Sequence, residues 1–487
     1  MKEEIKDKIS TNSKDNIAYI KELLKDNSDI VYREFLICKN LKGALVYVDG
    51  MADKLLLNDY VLESLMLEEN EIVNAQEIKD KILSVSDLRE VDKLSKGIDA
   101  FLSGDTILFI DSLDKAYVLA TRFWPARGVA EPSGETVVRG SREGFTETIR
   151  FNTALVRRRI RDTRFKIKAV TLGVRSKTDT AIMYIDDIVR DGLVEEVENR
   201  ISKINIDAVL DSGYVEQLIE DNKKSIFPQI QSTERPDVVA AALYEGRVAI
   251  MVDNSPFALI VPTTLPNLFQ SPDDYYQRWI SSTLVRIIRI MGIVLSIIMP
   301  ALYVAVTSFH TDIIPTKLAY SIAATREGVP FPAFIEAIIM EISLAFLMES
   351  IVRLPKPIGA TIGIVGGLII GQAAVSAGIV SPIMIIIVAV TAITSFMTPN
   401  YEVSSAFRIV RFLLIIAAAI IGLYGIVLGL VILLVHLVKL KSFGIAYLSP
   451  AVNFNTRDFK DFILKFPIDK MKKRPRYMRT KDKIRQK

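Results

Sequence analysis

The first half of the chain mixes charged and apolar residues as an ordinary globular protein does. From Leu284 to Leu440 the apolar residues gather into long runs: Ile287–Val306, Ile358–Ile379, Ile383–Met397 and Phe412–Val438. A hydrocarbon core about 30 Å thick takes about 20 apolar residues of helix. The first, second and fourth runs therefore predict membrane-spanning helices. The third is shorter and bounded by Pro382 and Pro399. A fifth segment, 331–353, is apolar enough to span yet carries Glu336, Glu341 and Glu349.

Before the apolar block, short alternating runs predict strands. In Phe165–Leu172, Phe165, Ile167 and Ala169 alternate with Lys166 and Lys168, the period of a sheet with one wet face. The run GDTILFIDSLDKAYVLAT (104–121) and the run GRVAIMVDNSPFALIVPT (246–263) share Gly104/Gly246, Asp111/Asp253, Ala116/Ala258 and Thr121/Thr263 at one offset. Each predicts two strands about a turn built from Asp, Asn, Ser or Pro. An earlier pair, Ala44–Asp49 and Ala181–Asp186, follows the strand-like runs Glu34–Cys38 and Phe165–Leu172. Helix-like segments, Leu55–Leu67 and Val91–Phe101, then Leu193–Ile204 and Pro236–Leu243, lie between the strand pairs. The fold class expected is an α/β soluble N-terminal region, two similar tandem subdomains with mixed sheets, followed by an all-α multi-span membrane domain. The boundaries expected are a polar lead-in 1–30, subdomain one 31–125, a linker 126–164, subdomain two 165–265, a juxtamembrane segment 266–283, the membrane domain 284–441 and a basic tail 442–487.

Charge refines this picture. Net charge is only +4, but Lys470–Lys487 holds ten Lys/Arg against the single acid Asp482, which predicts either a solvated run or a contact to anionic lipid headgroups. No nucleic-acid-binding fold accompanies it, so nucleic acid is not expected as a partner. Cys38 is the only cysteine, which excludes an intrachain disulfide. The polar start MKEEIKDKIS has no apolar signal core, so the N-terminal region is expected to stay cytoplasmic. Tyr275, Tyr276 and Trp279 form an aromatic cluster at the expected headgroup level, and Arg286 and Arg289 suit a cytoplasmic entry into the first span. Five spans would leave the basic tail on the wrong side. Either one of 331–353 and 383–397 does not cross, or a split inside 408–450 adds a crossing.

The linker carries the densest signature. Phe123-Trp124-Pro125 is expected to be extended, because proline disfavours helix before it. After a loop punctuated by Pro132, Gly134 and Gly140, Asn152 is read as the cap of a helix from Thr153 to Arg161. Arg139, Arg142, Arg150, Arg157, Arg158 and Arg161 accompany Glu131, Glu135, Glu143 and Glu147. They fit a surface laced with ion pairs or a subunit interface of arginine forks on carboxylates. No lysine and hydroxyl follow the glycines, so the loop is not a nucleotide site. His310 and His436 have no metal-ligand spacing and no catalytic triad is visible, so neither an enzyme, a metal nor a cofactor is expected.

The run EPSGETVVRGSREGFTETIRFNTALVRRRIRD closely resembles the signature of the A subunits of bacterial spore germinant receptors of the GerA type. The resemblance extends through NSPFALIVPTTLPNLFQSPDDYYQR (254–278) and MEISLAFLMESIVRLPKPIG (340–359). It implies residence in the spore inner membrane, with the soluble region on the core side. It also implies assembly with a transporter-like B subunit and a lipoprotein C subunit, and a homo-oligomeric ring that conducts ions on germinant binding. A sister branch, which works with the dipicolinate-release machinery instead, is an alternative that the resemblance leaves open. A non-conducting scaffold remains a further alternative. Within that frame Glu336, Glu341 and Glu349 are candidates for attracting cations. Gly363, Gly367 and Gly371, four apart, are candidates for close helix packing at a gate.

Overall fold

The structure is a computed structural model and describes residues 5–38, 40–67, 78, 83, 85, 87–123, 131–132, 134–353, 356–452 and 458–486. Trp124 and Pro125 of the expected extended stretch lie outside them. The chain forms two units. An α/β unit comprises Met1–Lys223, Ile230–Pro262 and Met471–Lys487; a helical unit comprises Lys224–Gln229 and Thr263–Lys470.

The α/β unit contains two five-stranded antiparallel sheets. The first uses β1 (Ile30–Ile37), β2 (Leu41–Val48), β3 (Leu88–Val91), β4 (Thr106–Ile110) and β5 (Ala116–Leu119) in the order β1-β2-β4-β5-β3. The second uses β6 (Phe165–Leu172), β7 (Thr178–Ile185), β8 (Gln231–Thr233), β9 (Val248–Val252) and β10 (Ala258–Val261) in the order β6-β7-β9-β10-β8. Neighbouring strands all pair antiparallel, so neither sheet is mixed. The edge strands β3 and β8 add a fifth strand that the four-strand reading of each half omits; they are three or four residues long, with no apolar run to mark them.

The two turns singled out by Asp111 and Asp253 do the same job. Asp111 Oδ1 accepts from Ser13 N (2.7 Å) and Ser13 Oγ (2.6 Å) at the start of α1 (Ser13–Leu23). Asp253 Oδ1 accepts from Ile149 N (3.0 Å) at the start of α3 (Ile149–Arg157), where α2 is Leu94–Leu102. Each carboxylate satisfies a helix-terminal N–H that has no partner within its helix. Asn16 and Asn152 then reach back alike, pairing with the backbone of Ser10 and of Thr146. The helix of the expected lead-in and the helix of the expected linker thus hold corresponding places, each ahead of its own sheet. Asn152 is inside α3 and is not its cap; Thr148 is the capping residue. The remaining α-helices among the described residues of the unit are α4 (Leu193–Ser202), α5 (Ser212–Ile219) and α6 (Pro236–Tyr244), with a helical stretch over Lys54–Leu56, Leu57–Leu62 and Glu63–Leu67.

Arg157 ties the two halves together. Its Nε donates to Asp29 Oδ2 (2.5 Å) and its Nη2 to Asp29 Oδ1 (2.9 Å) and Asn27 Oδ1 (2.7 Å), with the guanidinium 4.7 Å from the centre of the Phe165 ring. Beside it Ser28 N donates to Ile167 O (2.9 Å), joining the approach to β1 with β6. Arg157 is fully buried, so it is a seam within one chain and is not open to a neighbouring subunit.

The tail corrects another expectation. Lys481 N and Asp482 N donate to Ile188 O and Asp187 O (3.1 Å each), and Arg474 Nε donates to Tyr244 O (2.7 Å). Residues 471–487 are strapped by their backbone to the second half of the α/β unit, neither a free solvated run nor a segment held only by headgroups. The rest of the expected tail, 442–470, belongs to the helical unit.

In the helical unit α7 (Leu265–Phe269) and α8 (Asp273–Tyr276) lead into α9 (Trp279–Ser308), 30 residues and about 45 Å long. Then follow α10 (Thr316–Arg326), α11 (Ala333–Arg353), α12 (Lys356–Ser376), α13 (Pro382–Ser395), α14 (Tyr401–Ile421) and α15 (Leu423–Lys439). Their side-chain partners fix directions. Tyr303 meets Ser381 and Gly292 meets Thr394, so α13 runs antiparallel to α9. Arg411 meets Ser296, and Gly422 lies beside Phe309, so α14 runs parallel to α9. Gly363 and Gly366 abut Ile351 and Leu347, making α11 and α12 an antiparallel hairpin. The apolar run Phe412–Val438 is two helices: Gly422 adopts φ +62°, and Gly425 packs so close to Ala417 O that a Cβ would stand 2.2 Å away. That split turns one expected span into two antiparallel helices, and α9, α11, α12, α13, α14 and α15 alternate in direction.

Among the described residues, two helices, Trp279–Ser308 and Tyr401–Ile421, are long and apolar enough to cross a membrane, with mean hydropathy 2.3 and 2.0; Pro382–Ser395 and Leu423–Lys439 are shorter apolar helices. On α15 only Gly425, Ile426 and Leu437 are buried, while Val427, Leu428, Val431, Ile432, Leu434, Val435 and Val438 face outward. A continuous apolar face of that kind requires lipid or a partner against it.

Removing Asp29 leaves Arg157 buried without a counter-charge. Asp29→Ala is expected to destabilise the α/β unit by about 3–5 kcal/mol, and Asp29→Ala with Arg157→Met to recover most of that. Hydrogen exchange of the β1 and β6 amides in the full chain measures both; a single-variant cost below about 1 kcal/mol would exclude the seam.

Candidate functional site: a charged core inside the helical unit

Two of the three acids on α11 are buried among helices. Glu336 is 0% exposed and Glu341 1%. They lie five residues apart, roughly 140° around the helix, so they reach different neighbours. Glu336 Oε2 accepts from Ser381 N (2.8 Å) at the N-terminus of α13, where the helix dipole favours a carboxylate. Its Oε1 is 3.2 Å from Arg326 Nη2, and Ser381 Oγ is 3.2 Å from Tyr303 OH. Glu341 Oε2 is 3.1 Å from Arg411 Nε.

Arg411 is the hub. From α14 it pairs with Glu341 on α11, and its Nη1 donates to Ser296 O (3.1 Å) on α9 and Ser395 Oγ (3.0 Å) on α13. The Ser296 carbonyl is available for a physical reason. Pro300, four residues on, has no N–H to close the helical hydrogen bond. Arg411 takes its place, so one guanidinium gathers four helices.

Glu336 and Glu341 are the two buried members of the set expected to attract a passing cation. Each faces protein and is matched by an arginine of its own chain. Glu349 is exposed on the later turns of α11. The glycine strip also divides. Gly363 packs on Ile351, Gly371 faces Ile385 of α13, and Gly367 has open space beside it. They do not form one packing face. Arg326 and Arg411 escaped the sequence reading. The signal for Arg411 was a basic residue directly abutting the apolar run that begins at Phe412.

A second ionic cluster sits where α9 begins. Asp274 is buried and accepts from Arg286 Nε (3.0 Å) and Arg289 Nη1 (2.8 Å), while Arg286 Nη1 also reaches Asp461 (2.9 Å). Tyr275 OH donates to Asp461 Oδ2 (2.8 Å). Tyr275 therefore belongs to this clamp and not to an aromatic belt, whereas Tyr276 and Trp279 are exposed.

The arginine–glutamate linker closes mostly on its own chain. Arg158 and Arg159 both grip Glu143, and Arg150 lies 3.2 Å from Asp49. Burial works against the Glu143 carboxylate, but hydrogen bonds from the two guanidinium groups outweigh it and hold its pKa below the usual range. Arg142 reaches Glu131 only at 4.0 Å. Glu131, Arg139, Arg142, Glu147, Arg150 and Arg161 are exposed. Glu135 Oε2 accepts from Thr233 Oγ1 (2.5 Å) and Glu234 N (3.3 Å), and Arg235 Nη1 donates to the Glu135 carbonyl (3.1 Å). Burial pushes the Glu135 carboxyl up to about 7; hydrogen bonds from Thr233 and Glu234 N oppose this, and the nearby Glu234 charge adds to it. Among the described residues no group of three or more His, Cys, Asp or Glu is placed to hold a metal. His310 lies beside Gly422 and His436 beside Ser225.

Glu135 generates a pH dependence. Its folded pKa is above the ordinary 4.5, so the stability it contributes is complete below about 4.5 and lost as pH rises through about 7. The Glu234 charge opposes its ionisation and Arg235 favours it. Hydrogen exchange of residues 134–143, corrected for intrinsic rates, should rise through this window and be flat in Glu135→Gln. Equal slopes in both proteins would refute it.

Sequence comparison sets these features in a family. A sequence model of the Bacillus/Clostridium GerA spore germination protein matches residues 18–477. Spore germination protein GerLA of Bacillus cereus is 42% identical over 466 residues, covering 95% of each chain. Spore germination protein KA of Bacillus subtilis (strain 168) is 41% identical over 483 residues, 98% of this chain and 89% of that one. The uncharacterized membrane protein YfkQ of Bacillus subtilis (strain 168) is 44% identical over 468 residues, 96% of this chain and 91% of that one. The crystal structure of the N-terminal domain of the A subunit of the Bacillus megaterium spore germinant receptor GerK3 aligns with 53% of this chain and 96% of its own at 35% identity, with a TM-score of 0.42. With the family pattern running through both units, the chain belongs to the GerA spore germination protein family.

Proposed function

We propose that this chain is the A subunit of a nutrient germinant receptor in the spore inner membrane, and that copies of it form a ring enclosing a germinant-gated cation path. The observation that carries this reading is the Arg411 hub: a desolvated charge joining four helices whose outer faces are apolar. Such a hub suits helices seated in lipid and held in one of two discrete arrangements. Because the tail is strapped to the α/β unit, the chain must leave and re-enter on one side of the membrane, so its crossings are even in number. Six alternating passes satisfy that count, and the positive-inside rule puts the shared side in the cytoplasm.

Glu336 and Glu341 are neutralised within the chain, so the path lies between copies and these acids act as latches. They hold the α11–α12 hairpin against α9, α13 and α14. Opening is a population shift, with germinant favouring the arrangement in which the hairpin is released. Glu349, on the later turns of α11, is the exposed acid of the three. A transporter-like B subunit and a lipoprotein C subunit complete the receptor, and the exposed linker charges Glu147 and Arg161 meet a neighbouring copy. The internal neutralisation also favours a second reading, a non-conducting scaffold for the transporter-like partner.

Potassium flux from liposomes holding the assembled protein separates the two. Arg411→Gln should raise basal flux at least about tenfold, and adding Glu341→Gln should return it toward the native value. No flux from any variant of a correctly assembled oligomer would leave the scaffold. For the ring, Arg161→Glu should reduce particle mass in light scattering, and an unchanged mass would remove the linker from the interface.

A further inference from the structure

The chain passes between the two units four times, at 223/224, 229/230, 262/263 and 470/471. Two of these passages bound Lys224–Gln229, six residues lying in sequence between α5 and β8 of the α/β unit yet packed into the helical unit. Phe227 is 1% exposed there. Its ring meets Phe407 of α14 edge-on with centroids 5.4 Å apart, and lies 6.1 Å from the His436 ring of α15. Ser225 Oγ is 3.0 Å from His436 Nε2.

The backbone of the segment is held as firmly. Tyr447 OH donates to Pro228 O and Ser442 Oγ to Gln229 O, both at 2.7 Å. Ser442 lies in β11 (Lys441–Ser442) and Tyr447 just beyond β12 (Ile445–Ala446). Ser442 Oγ also accepts from Thr263 N (2.9 Å), and Leu265 N donates to Tyr447 O (2.8 Å). The last two carbonyls of the segment are thus fixed to the hairpin that follows α15.

On the other side there is no slack. Gln229 is followed by Ile230 and then by β8, whose Thr233, with Glu234 after it, holds Glu135 of the signature loop. A residue spans at most about 3.3–3.6 Å, so a displacement of β8 by more than a fraction of that length must be carried by the Phe227 segment. A flexible linker would absorb the displacement instead.

We propose that Lys224–Gln229 is a transmission peg: it converts movement of the signature loop and β8 into a change in the packing of α14 against α15 at Phe407 and His436. This extends the receptor reading, on which its germination test rests; its hydrogen-exchange test does not. Both use the full chain. In spores where this chain supplies the only A subunit, two glycines inserted between Gln229 and Ile230 add slack without touching Phe227. With protein amount unchanged, the germination rate in a rich mixture of amino acids, sugars and nucleosides should fall at least about tenfold. Native-rate germination of the slackened protein overturns the peg.

In lipid nanodiscs, Phe227→Ala should raise exchange at residues 403–410 and also at β8 and 134–143. Leu437→Ala, an apolar truncation on α15, should raise it only in the helical unit. Phe227→Leu, which keeps an apolar side chain, should fall between native and Phe227→Ala at both places. If the Phe227 variants change only the helical unit, the segment is local packing and the proposal fails, whatever the spores do. If native spores do not respond through this chain, the receptor reading fails and exchange alone decides the peg.

Discussion

A charge removed from water needs a counter-charge and hydrogen bonds, or its side chain cannot stay there. In the helical unit that constraint falls on Arg411. Its guanidinium is almost wholly buried among α9, α11, α13 and α14, and it is satisfied only if all four are in place. Pro300 makes the arrangement possible by leaving the Ser296 carbonyl without its helical donor. The proline costs α9 a backbone hydrogen bond, and the arginine of another helix supplies the replacement. Neither residue makes sense in the apolar interior without the other.

The α/β unit obeys the same constraint in a different setting. Arg157 and Arg235 are both fully buried, and each binds segments far apart in sequence. Arg157 joins α3 to the stretch before β1 through Asp29 and Asn27. Arg235 pairs with Asp237 and donates to the backbone of Glu135 and Ser141, which docks the signature loop on the start of α6. Arginine suits these places because its planar fork can serve several acceptors at once. The high arginine content of the linker therefore reflects, in good part, folding of one chain onto itself.

What could be read from the sequence followed from periodicity and from residues with one obvious use. The matched turns at Asp111 and Asp253 revealed the repeat because strand–turn–strand patterns are local. The helices α1 and α3 belong to that repeat too, but their likeness rests on Asn16 and Asn152 bonding to a loop, and neither asparagine differs in type from an ordinary cap. A split inside 408–450 was one of two alternatives, but its place in the Phe412–Val438 run was hidden because Gly422 is one of several glycines in an apolar stretch, and only φ distinguishes it. Glu336 and Glu341 stand out as acids in an apolar segment, yet their partners are Arg326 and Arg411, distant in sequence and invisible to helical spacing. The tail shows the same limit: its cations are plain in the sequence, whereas its attachment runs through backbone groups of Asp187 and Ile188.

These buried pairs also determine which parts of the helical unit can rearrange at low cost. The α9–α13–α14 cluster is joined by apolar packing and by Arg411, while the α11–α12 hairpin is fastened to it by two carboxylates at successive levels of one helix. Breaking a desolvated ion pair is costly when one partner is left behind, and far less so when the exposed charge gains water or a new partner as it moves. A two-state element is therefore more naturally the hairpin than the cluster: Glu336 and Glu341 lie at its joint, Gly367 has free space beside it, and Glu349 is already exposed.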